Sequence, residues 1–292
     1  MANKIALGTV QFGLDYGINN SQGKTPYTEV EAILSKASQQ GIGLLDTAAA
    51  YGDSEAVLGR YLQQDPAAFR LVTKLPATVT MENADQHFNT SLERLGVNSV
   101  YGLIFHNFES YQKQPGLWDY LLQQKQAGRV EKIGCSLYHP QELEALVNAG
   151  HIPDLIQFPF NILDRRFEAL FPLLEEHNVE LHTRSSFLQG LFFRAPESLP
   201  EFFAEAKPML GQIQAFAKEH EQPLGALLLG WCLAQPALHK VVIGVDTVQN
   251  LADNLAALRI PTDTQRGFST LVNTFSAVAE DILLPYTWPQ RS

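Results

Sequence analysis

The chain has 292 residues, 45% hydrophobic and 18% charged, with a formal net charge of −10, the balance of an ordinary globular protein and not the basic footprint of a nucleic-acid binder. Its two cysteines, Cys135 and Cys232, lie in apolar contexts and form no disulfide framework, which points to core packing in a reducing compartment. The start Met1-Ala2-Asn3-Lys4 lacks the features of a signal peptide, and no apolar run approaches the roughly 20 residues that span a bilayer. The expected location is therefore the cytoplasm, with no membrane or nucleic-acid partner.

In chain order, Ile5-Ala6-Leu7-Gly8 reads as a first strand. A helix is expected from Thr28 to Gln40, where Val30, Ile33, Leu34 and Ala37 share one face; Thr28 is the expected N-cap and Gly41 the stop. Further strands are expected at 43–45, 70–73, 100–105, 130–134, 154–158, 179–182 and 240–243. Helical stretches fall near 54–63, 83–95, 116–127, 140–149, 166–177, 209–220, 223–235 and 247–258, with a helical C-terminal segment near 264–281. Eight strand-then-helix units in about 260 residues predict an α/β fold, a single-domain (β/α)8 TIM barrel over 1–292 with a C-terminal helical extension. An open doubly wound sheet is disfavoured because the first turn, Gly8-Thr9-Val10-Gln11-Phe12-Gly13, does not fit G-x-G-x-x-G. The stretch 187–208, rich in Phe and Pro, reads as a long loop after the seventh strand, of the kind that often covers a site.

Chemistry in such a barrel sits at the C-terminal ends of the strands. There the sequence places Asp46 with Tyr51 beyond it, Lys74 and His106, at three neighbouring strand ends. Each alone has a plain explanation: a cap, a loop aromatic, a surface charge, a structural histidine. An acid, a phenol, an ammonium and an imidazole together do not. No metal site is expected, since the histidines include no H-E-x-x-H and the cysteines lack zinc-ligand spacing.

The run Leu45-Asp46-Thr47-Ala48-Ala49-Ala50-Tyr51-Gly52-Asp53-Ser54-Glu55 resembles the D-T-A-x-x-Y-G-x-S-E signature of aldo-keto reductases. Lys74 closing strand three and His106 closing strand four extend the resemblance, which runs from about Leu7 to Leu258. It implies an NAD(P)H-dependent oxidoreductase that reduces an aldehyde or ketone, sugar-derived among the options, to an alcohol. In that pattern Tyr51 donates the proton to the carbonyl oxygen. Lys74, held by Asp46, would lower the phenol from its free pKa of about 10, and His106 would orient the carbonyl.

The same resemblance implies a cofactor site of Gly8, Thr9, Asp46, Ser136, Gln157, Arg184, Gln189, Gly190, Gly244, Asp246, Asn250, Asp253 and Asn254, with Asn161 nearby. Three departures matter. Ser136 is followed by Leu137 where an Asn is common, so one amide contact is missing. Arg184 stands where an aromatic residue commonly stacks on nicotinamide. After strand eight, Asp246 and Asn250 stand where NADP-binding members usually carry Lys or Arg for the 2′-phosphate. The cofactor is thus NADP(H) or NAD(H), with Asp246 and Asn250 making NAD(H) more plausible; as a competing reading, Asp246 merely caps the last helix.

A small-molecule carbonyl is the implied partner. Tyr16, Tyr51, His106 and Phe108 are expected around it, with Val10, Phe12, Phe160, Phe187 and Phe192 as further pocket candidates and polar contacts from the loop 14–19. Two other readings stay open: a cofactor-binding regulatory or sensor subunit of the same fold, and an aldolase forming a Schiff base at Lys74.

Overall fold

A computed structural model describes residues 2–16, 23–64 and 68–289; of the loop 14–19, residues 17–19 lie outside them. Eight strands run β1 Ile5–Gly8, β2 Leu44–Asp46, β3 Arg70–Leu75, β4 Val100–Phe105, β5 Val130–Ser136, β6 Leu155–Pro159, β7 Glu180–Arg184 and β8 Lys240–Gly244. Each pairs in parallel with the next, and β8 returns to β1 with Gly8 opposite Gly244, closing the barrel. Every expected strand is present.

Strand alternation decides which residues see the barrel axis. A cluster built only from strand residues, among them Ala6, Leu44, Val72, Ile104, Leu155 and Val242, fills the interior. Two residues further along each strand, with the same facing, come Gly8, Asp46, Lys74, His106, Gln157 and Gly244. The apolar lining thus gives way to polar groups at one end, because each strand swaps its inward aliphatic residue for a polar one or a glycine within a single pleat. The alternate residues, such as Leu45, Leu103, Ile133 and Ile156, pack outward against the helices in the main core.

Several helical details differ from expectation, among them a short helix Phe108–Lys113 after β4 and 3-10 turns at Leu188–Phe193, Pro196–Ser198 and Glu201–Phe203 within the stretch 187–208. The turn Gly8–Gly13 contains a short helix, Val10–Gly13, and the helix expected from Thr28 is Tyr27–Gln39, so Thr28 lies inside it and Pro26 holds the N-cap position; proline, with φ already fixed, outcompetes the hydroxyl as a start signal. The stretch near 166–177 contains only a 3-10 turn and the helix Phe171–Glu176, since Pro172 suits only a first turn. The segment near 264–281 divides into Thr262–Val272 and Glu280–Leu283.

Helix Leu224–Leu233 is apolar on nearly every face and all but its first two residues are buried. It lies between the barrel and the C-terminal helix Thr262–Val272, with Gly230 admitting the Gln265 side chain and the Ala257 carbonyl. A helix apolar all round needs cover on both sides, which is what the C-terminal extension supplies. Cys135 and Cys232 are both buried and unpaired. Among the described residues no helix is long and apolar enough to cross a membrane.

Candidate active site

Asp46 ends β2, Lys74 lies one residue before the end of β3, and both are almost wholly buried. Lys74 Nζ donates to Asp46 Oδ1 at 2.6 Å and to the Thr47 carbonyl at 2.9 Å. Gln157 on β6 reaches across the mouth and donates from Nε2 to Asp46 Oδ2 at 2.8 Å. Both carboxylate oxygens are therefore satisfied, as a buried charge requires. Burial alone would push the Lys74 ammonium towards neutrality, but the Asp46 charge and hydrogen bond, with Tyr51 beside them, outweigh it and raise its pKa above the ordinary value. A lysine held charged in this way is a poor Schiff-base nucleophile.

Above this pair sits Tyr51. Lys74 Nζ lies 5.2 Å from its ring centroid. His106 meets the same ring edge-on, with centroids 5.5 Å apart and planes at 89°. The loop carrying Tyr51 is placed by backbone contact. A Cβ on Gly13 would fall 1.8 Å from the Tyr51 carbonyl oxygen, and one on Gly52, whose φ is +59°, 2.4 Å from the Gly13 carbonyl oxygen. Only glycine fits these facing positions. Ser54 ties the same turn to β1, donating to the Thr9 carbonyl at 2.9 Å and to its hydroxyl at 2.8 Å. Glu55, buried behind, accepts from Thr73 at 2.7 Å and so fixes helix Ser54–Leu62 against β3.

The protonation states correct one expectation. Burial raises the Tyr51 phenol, and the charges of Lys74 and then Arg184 only partly counter it, so its pKa stands above the ordinary 10.0. A nearby cation lowers a phenol only where desolvation does not prevail. Tyr51 thus keeps its proton at neutral pH and is no phenolate. Burial, then the Lys74 charge, lowers His106 to about 4, leaving a neutral imidazole whose buried Nδ1 has no hydrogen-bond partner.

Around this centre the implied cofactor positions divide. Ser136 lies buried opposite Gln157 in the β5–β6 register. Thr9 is drawn inward, its hydroxyl donating to the Asp46 carbonyl at 3.1 Å. Asn161 is committed to its own loop, donating to the Ser185 carbonyl at 3.1 Å and accepting from the backbone of Leu163 and Asp164. After β7, Ser185, Leu188, Gln189 and Gly190 all have positive φ, so the chain turns sharply at the rim. Gly244 is exposed and its missing Cβ makes room for the Gln11 side chain, whose Oε1 is buried without a partner.

Asp246 is not the helix cap. Thr247 holds that position, with its hydroxyl accepting from Asn250 N at 3.0 Å. Asp246 Oδ1 is buried without a partner, and burial raises the carboxyl's pKa. The Asn250 side chain accepts from Asp246 N at 3.3 Å, and Asp253 accepts from Gln249 at 2.7 Å. Asn254 follows on the same helix, Val248–Leu255. The N-terminus of this helix already holds a carboxylate: Glu29 Oε1 accepts from Val248 N at 2.7 Å. Two acceptors without donors, Gln11 Oε1 on the first turn and Asp246 Oδ1 after β8, suit the hydroxyl-rich riboses of a nicotinamide dinucleotide.

Of the pocket candidates, Phe12, Phe160 and Phe192 are fully buried core residues, and Phe160 stacks on Trp231 at 5.3 Å. Phe108 and Phe187 are partly buried against the core. Tyr16 is 45% exposed at the rim. Sequence reading assigned no role to Gln11, Glu29 or Tyr138; only their contacts across loops mark them out.

The sequence model of the aldo/keto reductase family matches residues 4–268, so this chain belongs to that family of NAD(P)H-dependent oxidoreductases, which act on small carbonyl compounds. Among curated relatives, the NADH-specific methylglyoxal reductase of Escherichia coli (strain K12) is 24% identical over 276 residues, covering 79% of this chain and 82% of that one. The L-glyceraldehyde 3-phosphate reductase of Escherichia coli O157:H7 is 25% identical over 269 residues, covering 78% of each chain. A holo-form aldo-keto reductase from Bacillus halodurans superposes with a TM-score of 0.74 at 21% identity, covering 94% of this chain and 93% of that one, and shares the fold.

Proposed function

We propose that this protein reduces an aldehyde or ketone to an alcohol, with Tyr51 as proton donor and the whole chain acting as one cytoplasmic barrel domain. The observation that carries the reading is the buried Lys74–Asp46 pair at 2.6 Å, lying directly beneath a phenol that faces an imidazole. When bound, the dihydronicotinamide supplies a hydride to the carbonyl carbon. Tyr51 keeps its proton until negative charge develops on the carbonyl oxygen, then donates it. Lys74 stabilises the phenolate left behind, and Asp46 keeps Lys74 charged. Gln157 holds the second Asp46 oxygen, so the pair cannot swing. His106, neutral above about pH 4, donates an N–H to the same carbonyl oxygen and fixes its direction. Replacing Tyr51 with Phe is expected to lower kcat/KM by about 10²- to 10⁴-fold with the melting temperature and dinucleotide affinity little changed. Undiminished reduction by that variant would remove Tyr51 from the mechanism.

The cofactor reading goes further. Gly8, Thr9, Ser136, Gln157, Gln189, Gly190, Gly244, Asp253 and Asn254 line its path in this proposal, and NAD(H) is the preferred form. Two carboxylates, Asp246 and Glu29, lie near the N-terminus of helix Val248–Leu255, and the run 244–254 contains no Lys or Arg. Asp246 Oδ1 can accept from a ribose hydroxyl, whereas a 2′-phosphate there meets like charge. The relative named as NADH-specific agrees. Titrations followed by quenching of tryptophan fluorescence should find NADH bound about tenfold or more tighter than NADPH, a difference of about 1.4 kcal/mol. Equal or reversed affinities would remove Asp246 and Glu29 as selectors.

A further inference from the structure

Arg184 closes β7 opposite Pro159, and its carbonyl accepts from Phe160 N at 3.0 Å, so its backbone is fixed at the rim of the mouth. Its half-buried guanidinium lies 4.1 Å from the centroid of the Tyr138 ring and donates one N–H to the Leu137 carbonyl at 3.3 Å. A guanidinium has five N–H donors in a fixed fork, so most remain to be used. Among the described residues no carboxylate pairs with it. The contrast within the molecule is clear: Arg129 and Arg166, also half-buried, are paired with Asp85 and with Asp164 and Glu280. In a chain of net charge −10, the arginine at the mouth of the barrel is the one of these three without a counter-ion. Its surroundings are hydroxyls and rings: Tyr16, Tyr51, Tyr138 and His106. Asp46, the acid in this neighbourhood, is consumed by Lys74 and Gln157. The Arg184 charge reaches the reacting groups: burial raises the phenols of Tyr16 and Tyr51 and the guanidinium opposes that rise, while at His106 burial and the Lys74 charge lower the imidazole and the guanidinium adds to them.

We infer that Arg184 anchors an anionic group on the substrate, so that this reductase selects carbonyl compounds carrying a carboxylate or a phosphate over their neutral counterparts. The inference rests on the reductase reading above and names its substrate class. An unpaired, partly desolvated charge is costly until an opposite charge meets it, and the planar fork matches a carboxylate or phosphate in a bidentate manner. Tyr138 beneath holds the guanidinium's plane. The carbonyl end then lies at Tyr51 and His106 and the anionic end at Arg184, which fixes which way round the substrate binds. The similarity to a reductase named for a phosphorylated aldehyde fits this class.

The test uses matched substrates with saturating dinucleotide: glyceraldehyde 3-phosphate against glyceraldehyde, and succinic semialdehyde against butanal. The wild type is expected to favour the anion in at least one pair, and which pair distinguishes phosphate from carboxylate. Arg184→Met should reduce that ratio of kcat/KM by about 10- to 100-fold, and Arg184→Lys should restore part of it. Calorimetry of glycerol 3-phosphate and butyrate against the wild type and Arg184→Met in the presence of dinucleotide gives a readout free of turnover; the preferred anion should bind only the wild type. A ratio untouched by Arg184→Met, with equal anion binding, overturns the inference. So does a variant that weakens dinucleotide binding tenfold while preserving the ratio, for the guanidinium then serves the cofactor. If no carbonyl is reduced yet the anion binds the wild type and not the variant, the reductase reading falls and the anion site stands.

Discussion

The two ends of the barrel both bury charged groups, and they treat them differently. At the N-terminal end, Glu180 of β7 accepts from the Tyr101 hydroxyl and bonds His182 Nε2 at 2.8 Å, while Lys132 Nζ lies 3.2 Å away. Burial works against this carboxylate, but the hydrogen bonds from His182 and Tyr101 and the Lys132 charge hold it at about 2. Among the described residues only His182 Nδ1 is left unmatched there. At the C-terminal end, the Asp46–Lys74–Gln157 network is equally complete, but it is ringed by groups still lacking partners, Gln11 Oε1, His106 Nδ1 and Asp246 Oδ1, and beside them is the Arg184 guanidinium, which has no carboxylate partner among the described residues. A polar network that satisfies itself stabilises a fold; one bordered by unmet donors and acceptors is shaped for something else to complete it.

Breaking each network should separate the two roles. Lys74→Met should have the largest effect, because it removes the phenol's cation and leaves a buried carboxylate without its counter-ion. Reduction should fall at least about a hundredfold, and urea denaturation should show a loss of about 3 kcal/mol. Retained activity would sever the link between the pair and Tyr51. Glu180→Gln should cost about 2 kcal/mol at pH 7 yet leave kcat/KM within about twofold. The sign of its pH dependence follows from a depressed carboxyl: the stability it provides is complete above about 4.5 and disappears as pH falls towards 2, so wild type and variant should converge in acid. A catalytic defect in this variant would make the lower network part of the machinery. The smallest effect belongs to His106. Held neutral to about 4 against an ordinary 6.5, it favours folding above 6.5 and loses that contribution as pH drops towards 4. His106→Gln should therefore lose less melting temperature than the wild type between pH 7 and 4.5; parallel curves would mean that the imidazole titrates normally.

How much of this was legible in the sequence follows from the range of the interactions. Strands announce themselves through short apolar runs, and a polar residue ending such a run must appear at the barrel mouth, which is why Asp46, Lys74, His106 and Gln157 could be placed in advance. Contacts between distant loops leave no such periodic trace. Glu29 meets Val248 across 219 positions, and Tyr138 meets Arg184 across the rim between two strands. Asp246 and Thr247 are both good capping residues by type; only the extended backbone of Thr247, at φ −140° and ψ 159°, assigns the cap to it. The Tyr51 phenol shows the limit for energetics, since the sequence reveals that a lysine stands nearby but not how completely water is excluded.

The facing glycines at the first turn have one more consequence. Tyr51 is located by main chain pressed against main chain, with no side chain between Gly13 and Gly52 to give way. Such a joint has no slack, so its tolerance is set by the size of a methyl group. A displacement of about 1 Å at a reacting atom can cost a hundredfold in rate. An added methyl at Gly13 would have to drive the Tyr51 carbonyl and the Ser54 amide away, and the phenol with them. The mutational fragility of this enzyme is therefore concentrated partly in positions that carry no functional group at all.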